Sequence, residues 1–114
     1  MILYKIKAEP QSSGYGLMAR DSEGYCFVYS ANTGIWHRSG SREIDFDFDH
    51  EAVYEPITAQ EAATLISGVK PADSSMDFYV AKLRAQEAQW TRTSDELGIV
   101  PPDDPTRCFP HRPR

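Results

Sequence analysis

The clearest β-sheet signal in the chain lies in residues 25–38, which read YCFVYSANTGIWHR. Apolar side chains occupy both alternating faces of residues 25–31, as is typical of a central strand that is covered above and below. Residues 32–34, Asn-Thr-Gly, predict a tight turn because asparagine and glycine tolerate a positive φ. A second strand begins at Ile35, so we expect this hairpin to form the middle of an antiparallel sheet.

Further alternating segments on both sides of the hairpin extend the predicted sheet. Residues 2–8 and 15–20 alternate with a period of two and are separated by a cluster of turn-forming residues. Residues 42–51 also alternate, with three large apolar side chains on one face and acidic side chains on the other. Because every connection is of hairpin length, residues 1–57 predict an antiparallel β-meander of about five strands.

Two helices are predicted after the strands. Thr58 and Glu61 have the spacing of a capping box, which predicts a helix over about residues 58–68. A second amphipathic pattern predicts a helix over about residues 75–92, which we expect to lie across the apolar face of the sheet. Glu87 falls within the apolar stripe of this helix, which indicates either an overhanging helix end or a buried partner. The predicted fold class is therefore α+β.

The predicted domain organisation follows from where the prolines lie. Residues 101–114 hold five of the eight prolines, which predicts an extended or disordered tail. Residues 1–100 are then expected to form a single α+β domain, since 114 residues leave no room for a second independent core. The chain is 40% hydrophobic and 25% charged, as in an ordinary globular protein, and this excludes a fibrous or wholly disordered chain.

Charge and the length of apolar runs limit the classes of function. The net charge of −5 argues against direct binding of nucleic acid, which requires a basic surface. No apolar run approaches the roughly 20 residues of a membrane-spanning helix, and the first residues alternate without the apolar segment of a signal peptide. We therefore expect a cytoplasmic protein without a membrane contact. Cys26 and Cys108 are expected to be reduced thiols in that compartment.

The acidic side chains of residues 42–51 are the first candidate binding site. On a strand, Glu43, Asp45, Asp47 and Asp49 would project to one side, with successive carboxylates about 6.8 Å apart. A cationic partner would relieve their mutual repulsion, so they are predicted to bind a basic protein surface. A solvated outer face and a metal site are the alternatives. A calcium loop is excluded because it requires glycine at its sixth position and glutamate at its twelfth, where this sequence has other residues.

The strand after the tight turn holds the second candidate site. Trp36 and Arg38 share a face, and both residue types are common in binding hot spots, so they are predicted partner contacts. Packing of Trp36 in the core is the alternative. His37 would serve as a general base only if Glu43 or Asp45 oriented it across the hairpin. The sequence contains no cofactor or metal motif, so neither a cofactor nor a metal is expected.

A non-catalytic protein–protein interaction module is the function that these observations favour. Small size, acidity and the acidic row suit a module of the immunity or antitoxin type, which masks a basic surface of its partner. Two alternatives stay open: a small enzyme or ligand-binding domain with a cleft near Trp36 and His37, and a structural homodimer. The interaction-module hypothesis places Asp45, Asp47 and Asp49 on a flat exposed face, whereas the enzyme hypothesis places His37 or His50, with a perturbed pKa, in a concave pocket.

Overall fold

Six strands and three α-helices form the part of the chain that the computed structural model describes, residues 1–100. The predicted proline-rich tail lies outside these residues. The strands are β1 (Ile2–Lys7), β2 (Gly16–Arg20), β3 (Cys26–Ser30), β4 (Ile35–Arg38), β5 (Val53–Ile57) and β6 (Thr91–Arg92). The helices are α1 (Gly40–Ile44), α2 (Ala59–Leu65) and α3 (Asp77–Arg84). The strands form one antiparallel sheet in the order β5-β1-β2-β3-β4-β6, which confirms the α+β class.

The meander from β1 to β4 has the predicted form, and its middle is covered on both faces. β3 and β4 pair so that Tyr29 lies opposite Trp36, and Gly34 takes a φ of 76° in the turn between them. Phe27 packs into one core cluster and its neighbour Cys26 into another, and both side chains are fully buried. The predicted hairpin therefore lies within the core of the fold, with apolar packing on each side of β3.

The predicted strand over residues 42–51 is wrong, because this segment is helical. It contains most of α1 and then a π-helical turn, Asp45–Asp49, in which the His50 N–H donates to the Asp45 carbonyl over 2.7 Å. The side chain of Ser39 caps the start of α1. Side chains two residues apart share one side of a strand but point about 200° apart on a helix, so Ile44, Phe46 and Phe48 do not share the single face that the strand prediction gave them.

The two edge strands come from segments that the meander prediction did not pair. β5 pairs with β1 at one edge, with Leu3 opposite Ile57, so the chain crosses the sheet after the π-helical turn. β6 pairs with β4 at the other edge, with Trp36 opposite Arg92. The sheet therefore has six strands instead of about five, and one of them follows the helices.

The predicted helix over residues 75–92 is shorter than expected. α3 has 8 residues, and the chain then forms a 3₁₀ turn, Ala88–Trp90, before it enters β6. Trp90 packs edge-on against Tyr25, with the two ring centroids 5.2 Å apart. Tertiary contacts of this kind outweigh the helix propensity of the segment that follows α3. Glu87 consequently lies outside the helix and is exposed.

Helix α2 has the predicted start and covers one face of the sheet. Thr58 and Glu61 form both bonds of the capping box, at 3.0 Å and 2.9 Å. One α2 face is buried in the larger core cluster, whose members are Leu3, Leu17, Ala19, Phe27, Trp36, Ala62, Ala63 and Ile99. The opposite face of the sheet carries a smaller cluster of Ile6, Met18 and Cys26. Burial of these apolar side chains is the main force that holds the layers together.

Gly68, just after α2, lies so close to Tyr15 that a side chain added there would have to displace the Tyr15 hydroxyl. A Cβ added at Gly68 would lie 2.3 Å from the Tyr15 hydroxyl oxygen, which donates to the Leu65 carbonyl over 2.6 Å. Gly68→Ala is therefore expected to destabilise the fold by about 1–3 kcal/mol, the usual cost of overpacking. Urea unfolding measures this, and Gly14→Ala is the matched control because its added Cβ meets nothing within 4 Å. Equal stability of the two variants would contradict the close contact.

Candidate functional site

The strongest candidate for a binding surface is the helical turn that follows α1. We call residues 44–51 the acidic turn, because four of its eight side chains are carboxylates. Phe48 is 75% exposed, and Ile44, about one helical turn earlier, is 54% exposed. Side chains at this spacing are neighbours on a helix, so these two form a small outward-facing apolar patch among carboxylates.

Phe46 holds the acidic turn on the sheet. Its ring centroid lies 5.0 Å from that of Tyr4 and 5.0 Å from that of Tyr54. The guanidinium carbon of Arg20 lies 4.7 Å from the same ring centroid, within the range of a cation–π contact. Phe46 therefore packs against the sheet, whereas Phe48, two residues later on the helical turn, points into solvent.

Asp45 binds the end of the acidic turn and the residues that follow it. Its Oδ1 accepts the Glu51 N–H over 2.9 Å, and its Oδ2 accepts the Ala52 N–H over 3.2 Å and the Tyr54 hydroxyl over 2.6 Å. These bonds, first that from Tyr54, hold the pKa of the Asp45 carboxyl below its ordinary value. The Asp45 carboxylate is therefore occupied by contacts within the chain.

Asp47 ties the acidic turn to β2. Its two carboxylate oxygens accept two hydrogen bonds from the Arg20 guanidinium, over 2.6 Å and 3.0 Å. This bidentate bond with Arg20 lowers the pKa of the Asp47 carboxyl. The pair neutralises the charge of Asp47 and holds the turn against β2.

The three aspartates do not form the predicted row, because the segment is helical. Asp45 is bonded within the turn, Asp47 is paired with Arg20, and Asp49 is exposed to solvent. Among residues 1–100, no cationic side chain forms an ion pair with Asp49 or Glu51. These two carboxylates and the apolar patch are the exposed groups of the turn that are not tied to the rest of the described chain by an ion pair.

The strand interpretation places Ile44 and Phe48 on the core side, so it misses both as surface residues. The sequence signal that favours the helix is Ser39, a preferred N-cap residue directly before this segment.

Glu43 and Arg38, both predicted partner contacts, bind each other. Glu43 accepts from Arg38 Nε over 3.0 Å and from Arg38 Nη2 over 2.9 Å, and it also accepts the Cys26 N–H over 2.9 Å. Burial alone would raise the pKa of Glu43, but the bonds from Arg38 and Cys26 outweigh it and lower the pKa. The guanidinium carbon of Arg38 also lies 4.6 Å and 4.8 Å from the ring centroids of Tyr25 and Trp90. Both side chains therefore join α1 to the sheet.

Trp36 belongs to the core and presents no surface to a partner. Its side chain is fully buried, and its indole N–H donates to the Ser94 hydroxyl over 3.0 Å. Its ring also packs edge-on against Tyr29, with the centroids 5.5 Å apart. Trp36 is therefore packed in the core, which was the alternative to its being a partner contact.

His37 is buried between two neutral partners. Its Nδ1–H donates to Gln86 Oε1 over 2.9 Å, and its Nε2 lies 2.7 Å from the Thr33 hydroxyl, which can donate to it. The donor assignment follows from Gln86, whose amide nitrogen is directed to the Arg38 carbonyl at 3.3 Å. Within the described residues, no carboxylate orients His37 as a general base requires, because Glu43 is bonded to Arg38 and Cys26.

The stability of the fold is expected to fall as the pH is lowered, because of His37. Burial lowers the pKa of His37, although its bond with Gln86 acts in the opposite direction. A depressed folded-state pKa means that the unfolded chain takes up the proton first, so stability is complete above the ordinary histidine pKa of about 6.5 and declines below it. Urea unfolding at about pH 7.5 and about pH 5.5 measures this decline.

His37→Gln should reduce this decline, whereas the exposed control His50→Gln should leave it unchanged. If stability fell equally with pH in the wild type and in His37→Gln, the assignment of this decline to His37 would be contradicted.

A groove of about 470 Å³ lies beside His37, between the β3–β4 hairpin, the start of α1 and α3. Its lining includes the apolar residue Val28 and the cationic residues Arg42 and Lys70. The ligand-binding hypothesis predicts a concave pocket at His37, and this groove has that position. Its cationic lining was not predicted, because Arg42 and Lys70 are 28 residues apart in sequence and meet only in the folded chain.

The described part of the chain contains neither a group of side chains placed to hold a metal ion nor a reactive thiol. No group of three or more His, Cys, Asp or Glu side chains in residues 1–100 is placed to hold a metal ion. Cys26 is buried and forms no disulfide, and burial raises the pKa of its thiol to about 11. The thiol is therefore protonated at neutral pH and is a poor nucleophile.

Comparisons with protein-family models, with curated proteins and with solved structures find no match to this chain. Across residues 1–100, every helix is too short or too polar to cross a membrane. Functional inference therefore rests on the geometry of the acidic turn and of the groove beside His37.

Proposed function

We propose that this chain is a non-catalytic interaction module whose acidic turn binds a basic surface of a partner protein. The observation that supports this most is Phe48, which is 75% exposed at the tip of the turn. Asp49 and Glu51 stand beside it without an ion pair to any other described residue. An aromatic side chain among such carboxylates suits an apolar contact on the partner that is surrounded by lysine or arginine.

The acidic turn is held in place before any partner binds. Asp45 accepts three hydrogen bonds, two of them from the backbone at residues 51 and 52. The bidentate Arg20–Asp47 pair and the packing of Phe46 restrain the turn from the sheet side. Binding by a preorganised surface loses little conformational entropy, which favours affinity for a given contact area.

Net charge suits the same proposal. At −5, the chain would attract a basic partner over distances of about a Debye length, roughly 10 Å at 0.1 M salt. We place the module in the cytoplasm and assign it to the immunity or antitoxin type, in which an acidic module covers a basic, nucleic-acid-facing surface. A structural homodimer is the alternative, with two copies of the chain in contact.

Affinity capture from a lysate of the natural host, repeated with three variants, tests the proposal. Phe48→Ser removes the apolar anchor, and Asp49→Lys reverses the charge beside it. Phe78→Ser is the matched control, because Phe78 is also 75% exposed but lies on α3 with the Lys82 ammonium 4.8 Å from its ring centroid. We expect the wild type and Phe78→Ser to retain one basic protein, and the other two variants to retain at least about tenfold less of it.

The captured protein is then purified, and its affinity for the four proteins is measured at low and high salt. High salt should weaken the wild-type complex, because exposed charges are screened. If Phe78→Ser lost the partner while Phe48→Ser kept it, the acidic turn would not be the interface. A wild type that retains no basic protein, or that sediments as a dimer lost in Phe48→Ser, would also overturn the proposal.

A further inference from the structure

The groove beside His37 is a second site, distinct from the acidic turn. We infer that it binds a small organic oxyanion, that is, a phosphate ester or a carboxylate with an apolar body. The inference does not depend on the proposed protein partner, because Phe48 and Asp49 do not line this groove.

Local charge is the first reason for this inference. Two cationic side chains, those of Arg42 and Lys70, line the groove, and no carboxylate does, although the chain as a whole is acidic. Arg38 is also a lining residue, but its guanidinium lies against Tyr25 and Trp90, which are outside the lining. Glu43 already balances Arg38. Arg42 donates to the Tyr54 hydroxyl over 3.2 Å and lies 3.8 Å from the nearest Asp45 oxygen, so much of its hydrogen-bonding capacity is unused.

Lys70 is brought to the groove by a clamp at Ala72. The side-chain amide of Asn32 donates to the Ala72 carbonyl over 3.1 Å and accepts the Ala72 N–H over 2.8 Å. These two bonds fix the segment after α2 to the β3–β4 hairpin. Among residues 1–100, Lys70 has no ion-pair partner, so its positive charge is available to a ligand.

Hydroxyl groups and apolar walls complete the groove. Ser39 and Ser41 line it near the cations, and their hydroxyl oxygens lie 3.2 Å apart. Val28 and Leu83 supply apolar surface to the same lining. A volume of about 470 Å³ falls within the usual range of small-molecule sites, roughly 300–1,000 Å³. The adjoining depression of about 600 Å³ has Arg42 as its one charged lining residue, so it suits an anion less well.

NMR titration of the ¹⁵N-labelled chain with three probes of one shape tests the inference. Phenyl phosphate and benzoate carry the oxyanion on an aromatic ring, and phenol is the neutral control. We expect saturable shifts of the amides around Ser41, Arg42 and Lys70 with phenyl phosphate, with benzoate or with both, and none with phenol. The anion that binds more tightly identifies the ligand class.

Charge variants make the test specific to the groove. Lys70→Glu should weaken binding by about tenfold, the loss expected for one charge-assisted contact, and Arg42→Gln should weaken it as well. Lys82→Glu, on α3 but outside the lining, should have no effect. Well-dispersed amide spectra establish that each variant is folded.

The inference is overturned if no probe gives saturable shifts up to about 10 mM, a limit that already corresponds to very weak binding. It is also overturned if phenol binds as tightly as the anions, or if Lys82→Glu weakens binding as much as Lys70→Glu.

Discussion

Trp36→Ala is expected to destabilise the fold by about 3–5 kcal/mol, the usual cost of removing a buried aromatic side chain. The indole is fully buried in the larger core cluster, so its removal leaves a cavity there. Its loss also leaves the Ser94 hydroxyl without the indole N–H that now donates to it over 3.0 Å. A domain of this size has about 5–15 kcal/mol of total stability, so the variant should be close to unfolding.

Urea unfolding of the purified variant measures this loss, and Trp90→Ala provides the comparison. Trp90 is only partly buried, at the edge of the sheet, so its removal should cost clearly less. A loss below about 1 kcal/mol for Trp36→Ala would contradict its place in the core and would restore it as a candidate surface anchor.

Glu43→Ala is expected to destabilise the fold by about 2–3 kcal/mol. The change leaves Arg38 and the Cys26 N–H without the acceptor that now serves both. We expect less than for a fully buried ion pair, because the Glu43 side chain is still 15% exposed to solvent. The contribution is complete at neutral pH and, since the pKa of Glu43 is lowered in the folded chain, it begins to be lost as the pH falls below the ordinary glutamate pKa of about 4.3.

Glu55→Ala is the matched control for Glu43→Ala. Glu55 forms a 3.5 Å ion pair with Lys7, but its side chain is 46% exposed, so its removal should change stability by less than about 1 kcal/mol. Glu43→Gln keeps the shape and one acceptor, and it should lose less than Glu43→Ala. Equal losses for Glu43→Ala and Glu55→Ala would contradict the structural role of Glu43.

The elements that could be predicted from the sequence are those whose signals are local. The turn at residues 32–34 and the capping box at Thr58 depend on neighbouring residues, and both form as expected. The helical segment after Ser39 could not be recognised in the same way, because its apolar and acidic residues alternate with the period of two that indicates a strand. The end of α3 depends on Trp90 meeting Tyr25, a contact between distant parts of the chain.

The sequence indicates where the acidic turn lies but does not indicate which of its carboxylates are free. The acidic composition of residues 44–51 is visible in the sequence, whereas the side chains that bind Asp45 and Asp47 come from other elements, Tyr54 from β5 and Arg20 from β2. Long-range pairs of this kind decide which carboxylates stay free. The groove beside His37 depends even more on tertiary contacts, since the Asn32 clamp joins segments 40 residues apart.

Photo-crosslinking in cells of the natural host tests the central claim most directly. The photoreactive residue p-benzoylphenylalanine replaces Phe48 in one variant and Phe78 in another, and these two positions have equal exposure in the wild type. We predict that the residue at position 48 crosslinks to one basic protein and that the residue at position 78 does not. Equal crosslinking at both positions, or none at position 48, would contradict the account of the acidic turn as the binding surface.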